Sequence, residues 1–203
     1  MTVDADRAVA RKAQIFEAAA AVFARLGYHH ARMDDVVRAA GVSKGGLYWY
    51  FRSKEELATG LVHQMLAHEA EAMRAVMTAG APAADRLRMV VRAFARELAQ
   101  NPDRAPLALE LLALGRTIPE IRTCFDAHHE QFVEHLAVLL AQLGGPDSPA
   151  PGPRARTAAL AVAAMIDGMV LRWTLARSPF DLEDALWAAV QVLLRGLRET
   201  GPR

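Results

Sequence analysis

At 203 residues, 53% hydrophobic and only 6% aromatic, the chain can bury a proper core and is long enough for one or two domains. The net charge of +1 excludes little, but its distribution is uneven: residues 1–54 hold nine Lys/Arg against five Asp/Glu, net +4, leaving −3 for the rest. A basic head on an acidic body is the layout of a nucleic-acid-binding module that keeps its other half off the phosphates. Cys124 is the only cysteine, which excludes an intrachain disulfide and fits a reducing compartment.

The first residues carry Asp4, Asp6, Arg7, Arg11 and Lys12, too charged for the apolar core of a signal peptide. Residues 1–6 are expected to form a frayed arm. A helix follows from Arg7 to Arg25, with Ile15, Ala19, Val22, Phe23 and Leu26 spaced as one buried stripe. Gly27 ends it. Asp34–Ala40 carries Val36, Val37, Ala39 and Ala40, enough for one apolar face. Gly41 can turn the chain left-handed without steric cost, and Ser43 is a good N-cap for a further short helix through Tyr50. Two helices joined by a tight Gly-containing turn form a helix-turn-helix, whose second helix enters the major groove of DNA. Lys44, Gly45, Gly46, Tyr48, Trp49 and Tyr50 suit that role. Two glycines cost a short helix about 1 kcal/mol each relative to Ala, and close approach to another surface is the usual reason to keep them, a core hairpin with no partner being the alternative.

Gly27-Tyr28, Met33–Val36, Ala40–Gly45, Leu47-Tyr48, Tyr50-Phe51, Ser53–Glu55 and Leu57 together resemble the DNA-binding domain of the TetR/AcrR family of bacterial transcriptional regulators. The resemblance covers roughly the first quarter of the chain. It implies a homodimeric repressor whose larger helical domain binds a small molecule. One position departs from the family pattern. Thr or Ser commonly opens the first motif helix there, capping it and touching a phosphate; here Ala31-Arg32 stands in its place, and Arg32 is the candidate to take over the phosphate contact.

Ser53-Lys54-Glu55-Glu56 is a capping box opening a long helix through Met77, with Leu57, Leu61, Met65, Ala72, Val76 and Met77 inward. Lys54 and the amides of this helix suit a DNA phosphate. The helix runs from head into body, so a ligand effect travels most economically along it. Further helices are expected over Ala84–Ala99, stopped by Asn101-Pro102, then over Leu107–Leu114 and Glu120–Leu143. Gly144–Pro153 reads as a mobile loop. The last two helices are expected over Arg154–Arg177 and Leu182–Arg198, the second capped by Asp181. The long apolar run Ala158–Ala176 is broken by Asp167 and Arg172 and reads as a buried helix rather than a membrane span.

Met65, Phe94, Leu111, Phe125, His128, Phe132, Met169 and Trp173 are the candidates for a largely apolar effector pocket, with core filling as the alternative for each. Leu160, Ala164, Gly168 and Leu171 on one terminal helix, with Trp187, Val190 and Leu194 on the other, are the candidate dimer face. The histidine pairs His29-His30 and His128-His129 diverge on a helix, His128 and His135 lie two turns apart, and no HExxH, phosphate loop or nucleophile elbow occurs. No metal, cofactor or catalysis is therefore expected.

The expected fold is all-α with about nine helices: a three-helix helix-turn-helix head over residues 1–53 and a larger ligand-binding and dimerisation domain over 54–203. The expected function is a cytoplasmic, sequence-specific regulator, a repressor released from a palindromic operator by a small, largely apolar ligand. Its partners are double-stranded DNA, the effector and a second copy of the chain. The DNA contacts are Arg32, Ser43, Lys44, Gly45, Gly46, Tyr48, Trp49, Tyr50 and Lys54. An activator or ligand-independent regulator shares the same head; a helical small-molecule-binding protein without DNA function is the remaining rival.

Overall fold

The computed structural model describes residues 2–143, 151–176 and 180–199, the side chains of 2–5 and 197–199 excepted. The described residues form α1 (Thr2–Leu26), α2 (Met33–Ala40), α3 (Lys44–Tyr50), α4 (Lys54–Met77), α5 (Ala83–Gln100), α6 (Arg104–Leu114), α7 (Pro119–Gln142), α8 (Pro153–Leu175) and α9 (Leu182–Glu199). No strand occurs among them. Most of the loop expected at Gly144–Pro153 lies outside the described residues, as does Arg177. The first helix starts at Thr2, not Arg7, so the expected arm over residues 1–6 is helical from Thr2 on. Ala5, Ala8 and Ala10 favour that extension.

The chain divides into two compact units, Met1–Ala67 with Pro106–Phe125, and His68–Ala105 with Asp126–Arg203. The first unit is larger than a 1–53 head. Its core joins Ile15, Phe16, Ala19, Val22 and Phe23 of α1 to Val36, Leu47 and Phe51, all buried. Leu57, Ala58, Leu61 and Val62 of α4 close it from a second side, and Leu107, Leu111, Leu114 and Ile121 from a third. Gly60 lets α4 come close: a Cβ there would meet the Phe16 ring at 2.9 Å. Leu26, expected on the buried stripe, is 37% exposed. It is the last residue of α1, just before the Gly27 turn, while Phe16 is buried in the core.

The second unit packs Leu87, Val91, Ala95 and Leu98 of α5 with Val133, Leu136, Ala137 and Leu140 of α7. Ala158, Ala159, Val162, Ala163 and Ile166 of α8 and Leu182, Leu186 and Val190 of α9 complete that core. Beside it, Met73 and Val76 pack with Val90 and Leu139. Ala72, expected inward, is exposed because Met73 holds the inner position of that turn. Asp181 caps α9 as expected, its carboxylate accepting the Asp184 N–H at 2.8 Å. Of the described helices, α8 is the one long and apolar enough to cross a membrane; its buried row lies in this core, and its outer row includes Asp167 and Arg172.

Candidate nucleic-acid interface

The turn between α2 and α3 is built by local chemistry. Gly41 ends α2 at φ +61°, and the Val42 N–H reaches back to the Val37 carbonyl at 3.3 Å. That left-handed cap is the glycine role expected from the sequence. Gln14 of α1 also donates to the Ala40 carbonyl at 2.8 Å, closing the end of α2. Ser43 then caps α3, its hydroxyl accepting the Gly46 N–H at 3.0 Å. Inward-facing Leu47 is fully buried and anchors α3 to the core.

Gly45 and Gly46 have different reasons to be small. A Cβ on Gly46 would press on the Ser43 hydroxyl at 3.0 Å, so this glycine serves the cap. A Cβ on Gly45 would meet nothing within 4 Å. No packing within the first unit therefore requires glycine at 45. Beside it Tyr48 is exposed, and Trp49 is 75% exposed with its ring edge-on to Tyr50 at 4.6 Å. Tyr50 itself is half-buried and packs on the core. Lys44 is exposed and ion-paired to Asp34 at 3.0 Å. Its hydrogen bond to that carboxylate raises the lysine pKa.

The opening of α2 replaces the missing Thr or Ser cap. Arg32 has no oxygen with which to cap the helix. Instead the Asp35 carboxylate reaches back to the Arg32 N–H at 2.9 Å. That backbone hydrogen bond, then the one from Arg38, holds the Asp35 carboxyl below the usual range. The Arg32 guanidinium has no part in the cap, and the residue is exposed.

Lys54 is placed differently from expectation. Its ammonium donates to the backbone carbonyls of Tyr28 at 2.7 Å, His29 at 3.2 Å and Ala31 at 3.0 Å. It also lies 4.4 Å from the centre of the Tyr28 ring. An ammonium has three protons, and three carbonyls take them. Lys54 thus clamps the turn before α2 instead of offering a free cation. Burial, then the nearby Glu55 carboxylate, pushes the Tyr28 hydroxyl up to about 12, so it stays protonated. The box at the start of α4 forms with an offset: Ser53 accepts the Glu56 N–H, while Glu56 accepts from Arg52 rather than Ser53.

The eight candidate effector residues fall in both units. Leu111 is fully buried in the core of the first, with Met65 and Phe125 half-buried against it. Leu111 fills that core rather than lining open space. Phe94, Phe132, Met169 and Trp173 are half-buried against the core of the second. His128 lies there too, its Nε2 3.2 Å from Glu69, whose carboxylate also takes Arg104 at 3.1 Å. Arg104 reaches Glu97 as well, at 3.1 Å. Sequence reading missed this network, because its members lie far apart along the chain. In the first unit an open groove of about 500 Å³ is lined by Lys12, Tyr50, Glu55, His63 and Glu120, among others; none of the eight effector candidates borders it. Cys124 is half-buried, 3.1 Å from His63 Nε2, and burial raises its thiol pKa. No cluster of three or more metal-ligating side chains occurs among the described residues.

On α8, Leu160, Ala164, Gly168 and Leu171 are all exposed on one row, continued by Leu175. On α9 the expected face is only partly outward. Trp187 and Leu194 are half-buried against the core, and the Arg88 guanidinium lies 5.6 Å from the Trp187 ring. Val190 is fully buried within the protomer, so it leaves the candidate interface. The α9 stripe is apolar over a wide arc, and the protomer core claims the side bearing Leu186 and Val190; Val192, at 67% exposed, is outward in its place.

A capped recognition helix held against a three-sided core, with one glycine open to the outside, defines a DNA-binding transcriptional regulator of the helix-turn-helix class. Comparison with known proteins gives the family. The family described as "Bacterial regulatory proteins, tetR family" matches residues 15–61, and that described as "BetI-type transcriptional repressor, C-terminal" matches residues 83–199, more than half of the chain. The chain belongs to the tetR family of bacterial regulatory proteins. It is 28% identical over 179 residues to the HTH-type transcriptional regulator BetI of Pectobacterium atrosepticum, covering 87% of this chain and 88% of that protein. It is also 28% identical to the HTH-type transcriptional activator FasR of Mycolicibacterium smegmatis, covering 92% and 83%. Among solved structures it resembles the fatty acid degradation regulator FadR of Bacillus halodurans, with a TM-score of 0.78, 26% identity, and 93% and 96% of the two chains covered.

Proposed function

We propose that the chain acts in the cytoplasm as a homodimeric repressor that binds a palindromic operator and leaves it when a small, largely apolar effector binds. The observation that carries this reading is the outer face of α3. Lys44, Gly45, Tyr48 and Trp49 are all exposed, although Trp is costly to leave in water and Gly weakens a helix. Ser43 and Gly46 frame that face, and Arg32 would bring an exposed cation to a phosphate. Tyr50 contributes by packing its ring nearly perpendicular to that of Trp49, and Lys54 by fixing the turn. Residues 1–53 carry the DNA contact; residues 54–203 carry effector binding and dimerisation.

The exposed row Leu160, Ala164, Gly168 and Leu171, with the outward edges of Trp187 and Leu194, is where a second copy would seat. Phe94, His128, Phe132, Met169 and Trp173, all in the second unit, would meet the effector, while Leu111, with Met65 and Phe125 against it, serves the core of the first. The helix α4 belongs to both compact units and is the covalent route by which effector binding would alter the spacing of two heads on DNA, which fits best near one helical turn, roughly 34 Å. Such a shift requires the effector to bind the off-register state more tightly.

The test is selection of bound sequences from random duplex DNA at near-physiological salt, followed by release of the recovered site with candidate effectors. Recovery of one palindromic site with strong salt dependence supports the reading; weak, sequence-indifferent binding refutes it. Similarity to the FasR activator gives a second reading, in which the same dimer activates transcription. A reporter placed behind the recovered site separates the two by the sign of its response.

A further inference from the structure

Asp34 and Lys44 form a donor–acceptor pair on the DNA-facing side of the motif, and we infer that this pair reads the polarity of one G·C base pair in each half-site. The inference rests on the DNA-binding reading above and goes beyond it by naming the base pair and the residues that choose it.

Three observations support it. Lys44 is the only cation of α3, and the helix contains no Arg, Asn, Gln, Asp or Glu to make a bidentate contact with a base. Its charge is not free for a generic phosphate contact, because the Asp34 carboxylate from the first turn of α2 holds it at 3.0 Å. Both side chains remain more than half exposed, at 66% and 59%, so the pair is presented outward rather than buried. Asp34 also has a local role, since a carboxylate in the first turn of α2 favours the helix N-terminus, but beside DNA it repels phosphates unless a base offers it a donor.

The major-groove edge of a G·C pair offers the matching pattern. Guanine presents two acceptors, N7 and O6, and cytosine presents the N4 amino donor. Within the base pair O6 and N4 are separated by their own hydrogen bond, about 2.9 Å. The Lys44 ammonium and Asp34 carboxylate are 3.0 Å apart and present the complementary order, donor against O6 and acceptor against N4. Lys44 can donate to O6 and N7 while Asp34 accepts from N4. Reversing the base pair sets ammonium against amino group and carboxylate against O6, which repels on both sides. A T·A pair keeps the keto and amino order but puts a methyl group where N7 would be, leaving Lys44 one acceptor fewer. Sequence-indifferent DNA must instead tolerate the carboxylate beside its phosphates. The pair thus raises discrimination by penalising wrong sites as much as by rewarding the right one.

The experiment is selection from random duplex DNA with the full-length protein, its Asp34→Ala and Asp34→Asn variants and Lys44→Met, with thermal unfolding of each to establish folding. The wild type is expected to fix one position per half-site as G·C in a single orientation, at least about tenfold over the reverse. Asp34→Ala should lose most of that preference at this position alone and bind random DNA more tightly, with a salt slope steeper by about one. Asp34→Asn, which keeps the shape and an acceptor oxygen, should fall between. Lys44→Met should lose the same position, and a protein carrying both Asp34→Ala and Lys44→Met, selected in the same way, should be no worse there than either single variant. An Asp34→Ala protein that selects the wild-type sequence at every position, or loses preference evenly across the site, overturns the inference and leaves the DNA-binding reading intact. A wild type that enriches no site overturns that reading first and this inference with it.

Discussion

Glu110, in α6, accepts the backbone N–H of Tyr28 at 2.5 Å across 82 positions of sequence. The same carboxylate lies where a Cβ on Gly27 would come within 3.3 Å, and Gly27 sits at φ +74°. The turn that launches α2 is thus held by α6 on one side and by Lys54 on the other. Glu110→Ala leaves a partly buried N–H without its partner and should cost about 1–2 kcal/mol. For a chain of this size that is roughly 2–8 °C in Tm. Glu110→Gln keeps an acceptor and should lose less; scanning calorimetry of the two variants checks both values.

Lys54 is a structural clamp by its hydrogen bonds, and its loss should look unlike the loss of a phosphate contact. Lys54→Met should destabilise the protein by about 1.5–3 kcal/mol, the range for hydrogen bonds to a charged group. The slope of log affinity against log salt should stay that of the wild type. A cation on a phosphate would instead lower that slope by about one. Urea unfolding and a salt titration of operator binding measure the two effects separately.

Gly45 should show stability and function moving in opposite directions. Gly45→Ala adds a Cβ into open space and removes helix-weakening backbone freedom, raising stability by up to about 1 kcal/mol. The same methyl group stands where the groove must approach, so operator affinity should fall. Gly46→Ala should instead lower stability by crowding the Ser43 cap. Melting and operator-binding curves of the two variants make the comparison.

The Glu69 carboxyl has a sign that can be worked through. Burial pushes its pKa up, but hydrogen bonds from His128 and Arg104 outweigh that, and the net shift is downward. A depressed folded pKa means the group stabilises the fold fully above the ordinary glutamate range. That contribution is lost as pH falls through the lower folded value. Glu69→Gln should therefore be less stable than wild type at neutral pH and approach it in acid. Urea midpoints taken from pH 7 down to pH 3 show whether the two curves converge.

Leu171 is exposed in the protomer and Val190 is not. Leu171→Asp should therefore leave the chain folded and shift the proposed dimer toward monomer in sedimentation, with operator binding falling in parallel. Val190→Asp buries a charge in the core and should prevent folding at any concentration.

What could be read from the sequence was decided by neighbours along the chain. Gly41, Ser43, Ser53 and Asp181 act within a few residues, through caps whose partners their own helices supply, and each sits where its residue type predicts. The resemblance carried by Gly27–Leu57 and the all-helical fold were legible for the same reason, since they rest on dense local patterns. Lys54, Glu110 and the Glu69–Arg104–His128 network were not. Their partners are tens of residues away, and a cation beside a motif looks the same on paper whether it faces a phosphate or three carbonyls. Val190 and Ala72 were misplaced because a helix apolar on a wide arc does not say which edge its own protomer claims.

The first compact unit is discontinuous, since Pro106–Phe125 returns to complete the core begun by residues 1–67. Modularity in this lineage is therefore narrower than the chain order implies. A recombination event, or a designed chimera, that exchanges only the N-terminal portion inherits a half-set of core contacts and must match Leu107, Leu111, Leu114 and Ile121 of a foreign body. Exchanging DNA specificity between relatives is then better done by grafting the outer face of α3 than by swapping the head whole.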